Sequence, residues 1–253
     1  MTPVTPSNIF HRGMAWHTYQ NLEKDFIDVT RHVALEKEND GAYSEKIAQL
    51  LQLTGSTVDS LFFEMRTSPS LAQEKGVADL QQNPEPNIGQ YREVYEPIYQ
   101  LSQVKLDARH GLTNYGTIKP FNPFLPKQYP QWWDAYNEIK HEFFRNWRRG
   151  TLGNLVHALG ALFILNVLHK DAQLYLLQRG VIVPVTGYAN STYLSTSLSR
   201  YSLDPFHVAN LMNRSFIGLP KNAPCGAVAF SEVFAHSFRT DPVVTVEENS
   251  GPT

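Results

Sequence analysis

The sequence has one cysteine, Cys225, and so can build neither a disulfide framework nor a cysteine-based zinc site. A chain that uses no disulfides suits a reducing compartment, and the expected location is the cytoplasm. Long apolar runs are also missing. The longest, Leu155–Leu168, is interrupted by His157, Gly160 and Asn166, which marks a buried core helix rather than a membrane span. Residues 1–15 show no apolar stretch of the kind a secretory signal requires. Excess charge is absent as well: 22 basic residues stand against 24 acidic ones, for a net charge of −2. That balance draws the whole chain neither to nucleic acid nor to anionic lipid, so any such binding must come from a local patch. No membrane partner is expected.

The strong short motifs are missing too. There is no G-x-G-x-x-G, P-loop, H-E-x-x-H, G-x-S-x-G or Cys/His zinc spacing. The commonest nucleotide-binding, metalloprotease and hydrolase classes fall away, and no cofactor or metal is expected. These absences do not decide whether the chain is an enzyme.

What is present is helical periodicity. Trp16, Tyr19, Leu22, Phe26, Val29 and Val33 recur at steps of three and four, predicting a helix over 14–37 after a loose arm at 1–10. Asn39, Asp40 and Gly41 form the turn that ends it. A second helix, 42–66, carries Tyr43, Ile47, Leu50, Leu51, Thr54, Val58, Leu61, Phe62 and Met65, with Ser44 or Tyr43 at its start. Two long helices joined by a short turn pack antiparallel. Residues 67–87 read as a loop or a short, weak helix. A third long helix, 87–106, includes Pro97, which kinks or splits it. The glycines and prolines of 107–130 forbid regular helix and leave room only for short extended pieces such as 117–120. A fourth helix runs from 131 to 149. Gly150 then ends it, and Thr151 caps a fifth helix reaching about 178, with a continuous helix through Gly150, at a cost of about 1 kcal/mol, as the competing reading. Beyond Gly180 the chain turns irregular, with a short β-like run over 181–185 and a short helix near 205–213. The stretch 227–238 reads equally as strand or helix. The expected fold is all-α: an antiparallel helical bundle over 1–179, an irregular extension packed on it over 180–239, and a disordered tail over 240–253.

The densest polar cluster lies in the fourth helix: Tyr136, Asn137, Lys140, His141, Arg145, Asn146, Arg148 and Arg149. Asn137, His141 and Arg145 share one helix face. If the chain reverses at Gly150, the returning helix brings Asn154 and His157 alongside. The expectation is a composite pocket at a helix–helix seam. His141 and His157 would be its acid and base, and Asn137, Lys140, Arg145 and Asn154 would bind substrate, with arginine anchoring phosphate. The plainer reading makes the arginines a solvated face at a helix end and His157 a core histidine. Arg12 and His17 form a second pair. Glu23, Asp25, Asp28, Arg31, His32 and Glu36 form a third group, read as a salt-bridged solvated face rather than a metal site. Of the adjacent Trp132 and Trp133, at least one belongs to the core.

Two stretches, residues 16–66 and 129–170, carry a family resemblance, and its most specific string is WWDAYNEIKH, Trp132 to His141. Together they resemble prokaryotic proteins similar to the HEPN superfamily. That resemblance implies a four- or five-helix bundle, often a homodimer. Many members are metal-independent ribonucleases of antiphage defence or toxin–antitoxin systems. Their motif is an arginine, four to six intervening residues and then a histidine, late in the bundle. Here Arg145 and Arg149 precede His157 at other spacings, while Arg12 and His17 have the spacing at the opposite end. The expected function is therefore action on RNA or a nucleotide, as a metal-independent ribonuclease whose ribose 2′-hydroxyl attacks its own phosphate. The alternative is a non-catalytic helical module for dimerisation or for binding a partner protein.

Overall fold

The computed structural model describes residues 6–68, 71–110, 113–169 and 201–203. Most of these are helical, and they form seven α-helices and three short strands. Helix α1 spans Pro6–Thr30, α2 Glu45–Met65, α3 Val77–Gln82 and α4 Ile88–Tyr99. Strands β1, Leu106–His110, and β2, Thr113–Ile118, follow. Then come α5, Gln131–His141, α6, Phe143–Asn146, and α7, Leu152–Leu168; β3 is Tyr201–Leu203.

The first helix starts earlier and stops earlier than its apolar repeat suggests. Pro6 opens it, a residue suited to a first turn because its missing N–H needs no partner there. At the other end the Thr30 hydroxyl bonds back to the Ile27 carbonyl, and Leu35 still reaches the core beyond the helix. Ser44 caps α2 by accepting from the Ile47 amide, and the stripe of Ile47, Leu50, Leu51, Thr54, Val58, Leu61, Phe62 and Met65 is buried as its spacing requires, while Leu53 and Phe63 are exposed. Asn87 and Gln90 form a reciprocal capping box at the start of α4. That helix ends two residues past Pro97, where Gln100 adopts a left-handed backbone.

Helix α7 is the axis of the core. It packs along α2, with α1 and α5 beside it. Nearly every residue from Leu152 to Leu168 is buried, which explains why its sequence is apolar all round rather than amphipathic. The turn before α2 and the turn before α7 are stitched together. The Leu152 amide donates to the Ala42 carbonyl at 2.7 Å, and Tyr43 bridges Thr151 as an isolated β-pair. Gly150 lies so close to Ala48 that a Cβ would stand 2.4 Å from its Cα. The N-termini of α2 and α7 therefore sit together, and the two helices set out in the same direction. Gly55 against Tyr136 and Lys140 against Asp59 show α5 running that way too.

The small antiparallel sheet, ordered β2-β1-β3, falls in the segment expected to be irregular. The β1–β2 register shifts between Ala108 and Arg109, next to Gly116 with φ of 93°. Leu106, Ala108, Tyr115 and Ile118 turn inward, and Gly160 of α7 leaves the room that Leu106, Ile118 and Pro120 occupy. Strand β3 pairs Leu203 with Leu106, Ser202 with Asp107 and Tyr201 with Ala108. The rest of the expected extension and tail, together with the fifth helix beyond His169, lies outside the described residues.

Candidate functional site

The chain between α5 and α7 decides where the candidate residues go. The turn expected at Gly150 comes earlier, at Glu142, whose φ of −140° and ψ of 69° leave the helical region. Residues 143–149 then fold back along α5. The Asn146 side chain donates to the Glu138 carbonyl at 3.0 Å, and Arg149 pairs with the Glu138 carboxylate at 2.8 Å. That return brings the beginning of α7 to the beginning of α5.

The composite pocket is consequently not assembled. His141 is exposed at the far end of α5, about 15 Å along the helix from Gln131. Gln131 and His157 line one cavity, and His141 does not. Lys140 reaches away to Asp59 of α2 at 3.8 Å and lies 5.4 Å from the Tyr136 ring. Arg145, with 79% of its side chain exposed, pairs with Glu142 at 2.9 Å. Asn137 is half-buried and makes no side-chain hydrogen bond among the described residues. Asn154 is buried and donates to the Arg149 carbonyl at 2.9 Å. The six residues thus divide: Asn154 and His157 share a cavity, while Asn137, Lys140, His141 and Arg145 lie on or near the outer face of α5 and its return.

The outer face has a feature the sequence reading passed over. Phe144 is 94% exposed, while its neighbour Phe143 packs partly against the core. The same segment carries Arg145 and Arg148; Arg148 has no acidic partner among the described residues and lies 5.8 Å from the Trp147 ring.

The cavity, of about 380 Å³, lies where four segments meet. Asp40 and Gly41 come from the turn before α2, and Asn122 and Pro123 from the loop after β2. Pro130 to Trp132 open α5, and Thr151, Gly153, Asn154 and His157 belong to the first turns of α7. Thr151 caps α7 through the Asn154 amide at 3.3 Å. Gly153 allows Asp40 to approach, since a Cβ there would meet its carboxylate at 3.1–3.2 Å. Asp40 accepts a hydrogen bond from the Tyr115 hydroxyl and faces Lys37 at 3.5 Å, while Lys37 also covers the Tyr115 ring at 4.2 Å. Burial, helped by the Lys37 charge and opposed by Asp40, pulls the His157 imidazole down to about 4, so it is neutral at pH 7. Neither of its ring nitrogens makes a hydrogen bond among the described residues. Asp40, Tyr115 and Lys37 were not legible as site residues, because nothing in a turn sequence such as 37–41 separates a structural aspartate from a functional one.

The other candidates settle into structural roles. Trp132 and Trp133 are both buried, Trp132 donating to the Pro120 carbonyl at 2.7 Å and Trp133 packing edge-on to Tyr136. Asp28 and Arg31 pair at 3.2 Å on the surface, as their spacing suggests. Glu23 departs from the solvated face expected for it: it is 3% exposed and accepts from the Tyr19 hydroxyl at 2.8 Å. His17 is exposed and contacts Asn21 at 3.0 Å. Among the described residues no cluster of three metal-ligating side chains occurs, and no helix is long and apolar enough to cross a membrane. Compared with known proteins, the chain matches no family model, no curated protein and no solved structure.

Proposed function

We propose that the protein is an HEPN-like RNA-binding protein that engages single-stranded RNA through residues 140–149. The observation that carries this reading is Phe144, an aromatic side chain 94% exposed on a segment that also carries Arg145, Arg148 and Arg149. A base stacked on such a ring gains about 1–3 kcal/mol, and arginines take phosphates in a bidentate manner. The existing partners of these cations are weak competitors. Arg145–Glu142 and Arg149–Glu138 are surface pairs, each worth about 0–1 kcal/mol, so a phosphate can replace either carboxylate. His141 is exposed on the same segment and is the residue for acid–base work at a bound phosphate. There the imidazole would take the proton of a ribose 2′-hydroxyl as that oxygen attacks phosphorus, and would return it to the 5′-oxygen as the P–O5′ bond breaks.

The test is anisotropy of a labelled single-stranded RNA of mixed sequence, with Phe144→Ala and the pair Arg145→Glu/Arg148→Glu beside the wild type. Phe144→Ala should weaken binding about tenfold, the lower part of the stacking range, without a change in melting temperature. Cleavage of the same RNA in EDTA, lost in His141→Ala, would add catalysis to binding. A second reading rests on Tyr43, 49% exposed with its ring 5.5 Å from that of Trp147, as a second exposed aromatic besides Phe144. Such a surface can anchor a second copy of the chain. Absent RNA binding, with a dimer by sedimentation that Phe144→Ala dissociates, would establish that reading instead.

A further inference from the structure

The cavity at the start of α7 is separate from the Phe144 face and carries its own chemistry. Its volume, about 380 Å³, lies in the lower part of the range of roughly 300–1,000 Å³ usual for small-molecule sites. Its mouth bears two carboxamides, Asn122 and Gln131, both exposed and making no side-chain hydrogen bond among the described residues. Deeper, the Asn154 amide nitrogen is committed to the Arg149 carbonyl, which leaves its carbonyl oxygen as an acceptor. His157 offers one donor and one acceptor. Pro123, Pro130 and the buried indole of Trp132 supply flat apolar walls.

The charge in and around the cavity cancels. Asp40 is the one ionised group among the described lining residues, and Lys37 at 3.5 Å balances it. No cation lines the cavity to receive a phosphate, and the imidazole stays neutral at pH 7. An anion entering here would meet a carboxylate, and a cation would compete with Lys37. What remains is a neutral, flat molecule carrying both donors and acceptors. Asparagine and glutamine read the adenine edge in a bidentate way, and aspartate accepts from an exocyclic amine.

We infer that the cavity between Asp40, Asn122, Gln131, Asn154 and His157 binds an uncharged nucleobase or nucleoside. The site stands whether or not the outer face binds RNA, since the two share no residue.

Calorimetric titration with adenosine, cytidine, guanosine and uridine tests it, with adenosine 5′-monophosphate and glucose as comparisons. At least one nucleoside should bind with a Kd below about 1 mM, and its phosphorylated form at least tenfold more weakly. His157→Asn should reduce nucleoside affinity at least tenfold. Gln131→Ala, at an exposed position that does not endanger folding, should reduce it several-fold while leaving RNA binding by the outer face unchanged. In the wild type, the histidine NMR resonance missing from His157→Asn should shift on saturation. Equal or tighter binding of the monophosphate, preference for glucose, or no nucleoside binding at about 1 mM would each overturn the inference. So would binding that neither variant alters. If His157→Asn does not fold, Gln131→Ala decides the matter.

Discussion

His157 illustrates how one residue can be read correctly in type and wrongly in company. Its place in an apolar run points to the core, and it is half-buried at the cavity; its charged neighbours Lys37 and Asp40 come from a turn more than a hundred residues earlier, which periodicity cannot reveal. The same burial makes a testable link to stability. The folded imidazole titrates at about 4 and the unfolded one near 6.5. Above pH 6.5 both states are neutral there and the group contributes no pH dependence. Between 6.5 and 4 the unfolded chain takes up a proton that the folded chain refuses, so stability falls as pH falls, and below 4 the effect levels off. At pH 5 the loss relative to pH 7 amounts to about 2 kcal/mol from this residue alone. Urea unfolding at the two pH values should show the wild type losing about that much more than His157→Asn. Parallel losses in the two proteins would place the acid sensitivity among the carboxylates instead.

Among the elements, those whose ends are written in local chemistry were legible, and those ended by tertiary contacts were not. Ser44, Thr151 and the Asn87–Gln90 box mark helix starts because a side-chain oxygen beside free amides is a short-range signal. The break at Glu142 has no such signal. The residues after it fold back on Glu138, whose carbonyl accepts from Asn146 and whose carboxylate pairs with Arg149. With the break unseen, 131–149 reads as one helix, and His141 is set beside His157. The caps make their own prediction. Thr151→Ala removes the acceptor for the Asn154 amide and should cost about 1 kcal/mol in urea unfolding. The backbone pairing of Thr151 with Tyr43 survives this substitution, so a loss well beyond about 2 kcal/mol would mean that the Thr151 side chain holds more than the cap.

At the scale of the whole molecule, composition foretold a mostly helical fold but not the sheet, because Leu106–His110 and Thr113–Ile118 are short and one strand partner, Tyr201–Leu203, is far away in sequence. Net charge bears on the proposed RNA binding in a similar way. With a net charge of −2, the chain has no overall field to draw in a polyanion, so affinity must rest on the few cations around Phe144. If Lys140, Arg145 and Arg148 each meet a phosphate, three counterions are released. The logarithm of affinity should then fall with the logarithm of salt at a slope of about −2 for a single strand. Stacking on Phe144 is insensitive to salt, so Phe144→Ala should lower the whole line without tilting it, whereas Arg145→Glu/Arg148→Glu, which leaves one of the three contacts, should flatten it to a slope no steeper than about −0.7. A wild-type slope of about −5 would require roughly seven phosphate contacts and hence a much wider basic surface than 140–149 provides. Anisotropy titrations at four salt concentrations distinguish these outcomes. A flat wild-type line would remove phosphate recognition and leave Phe144 to a protein partner.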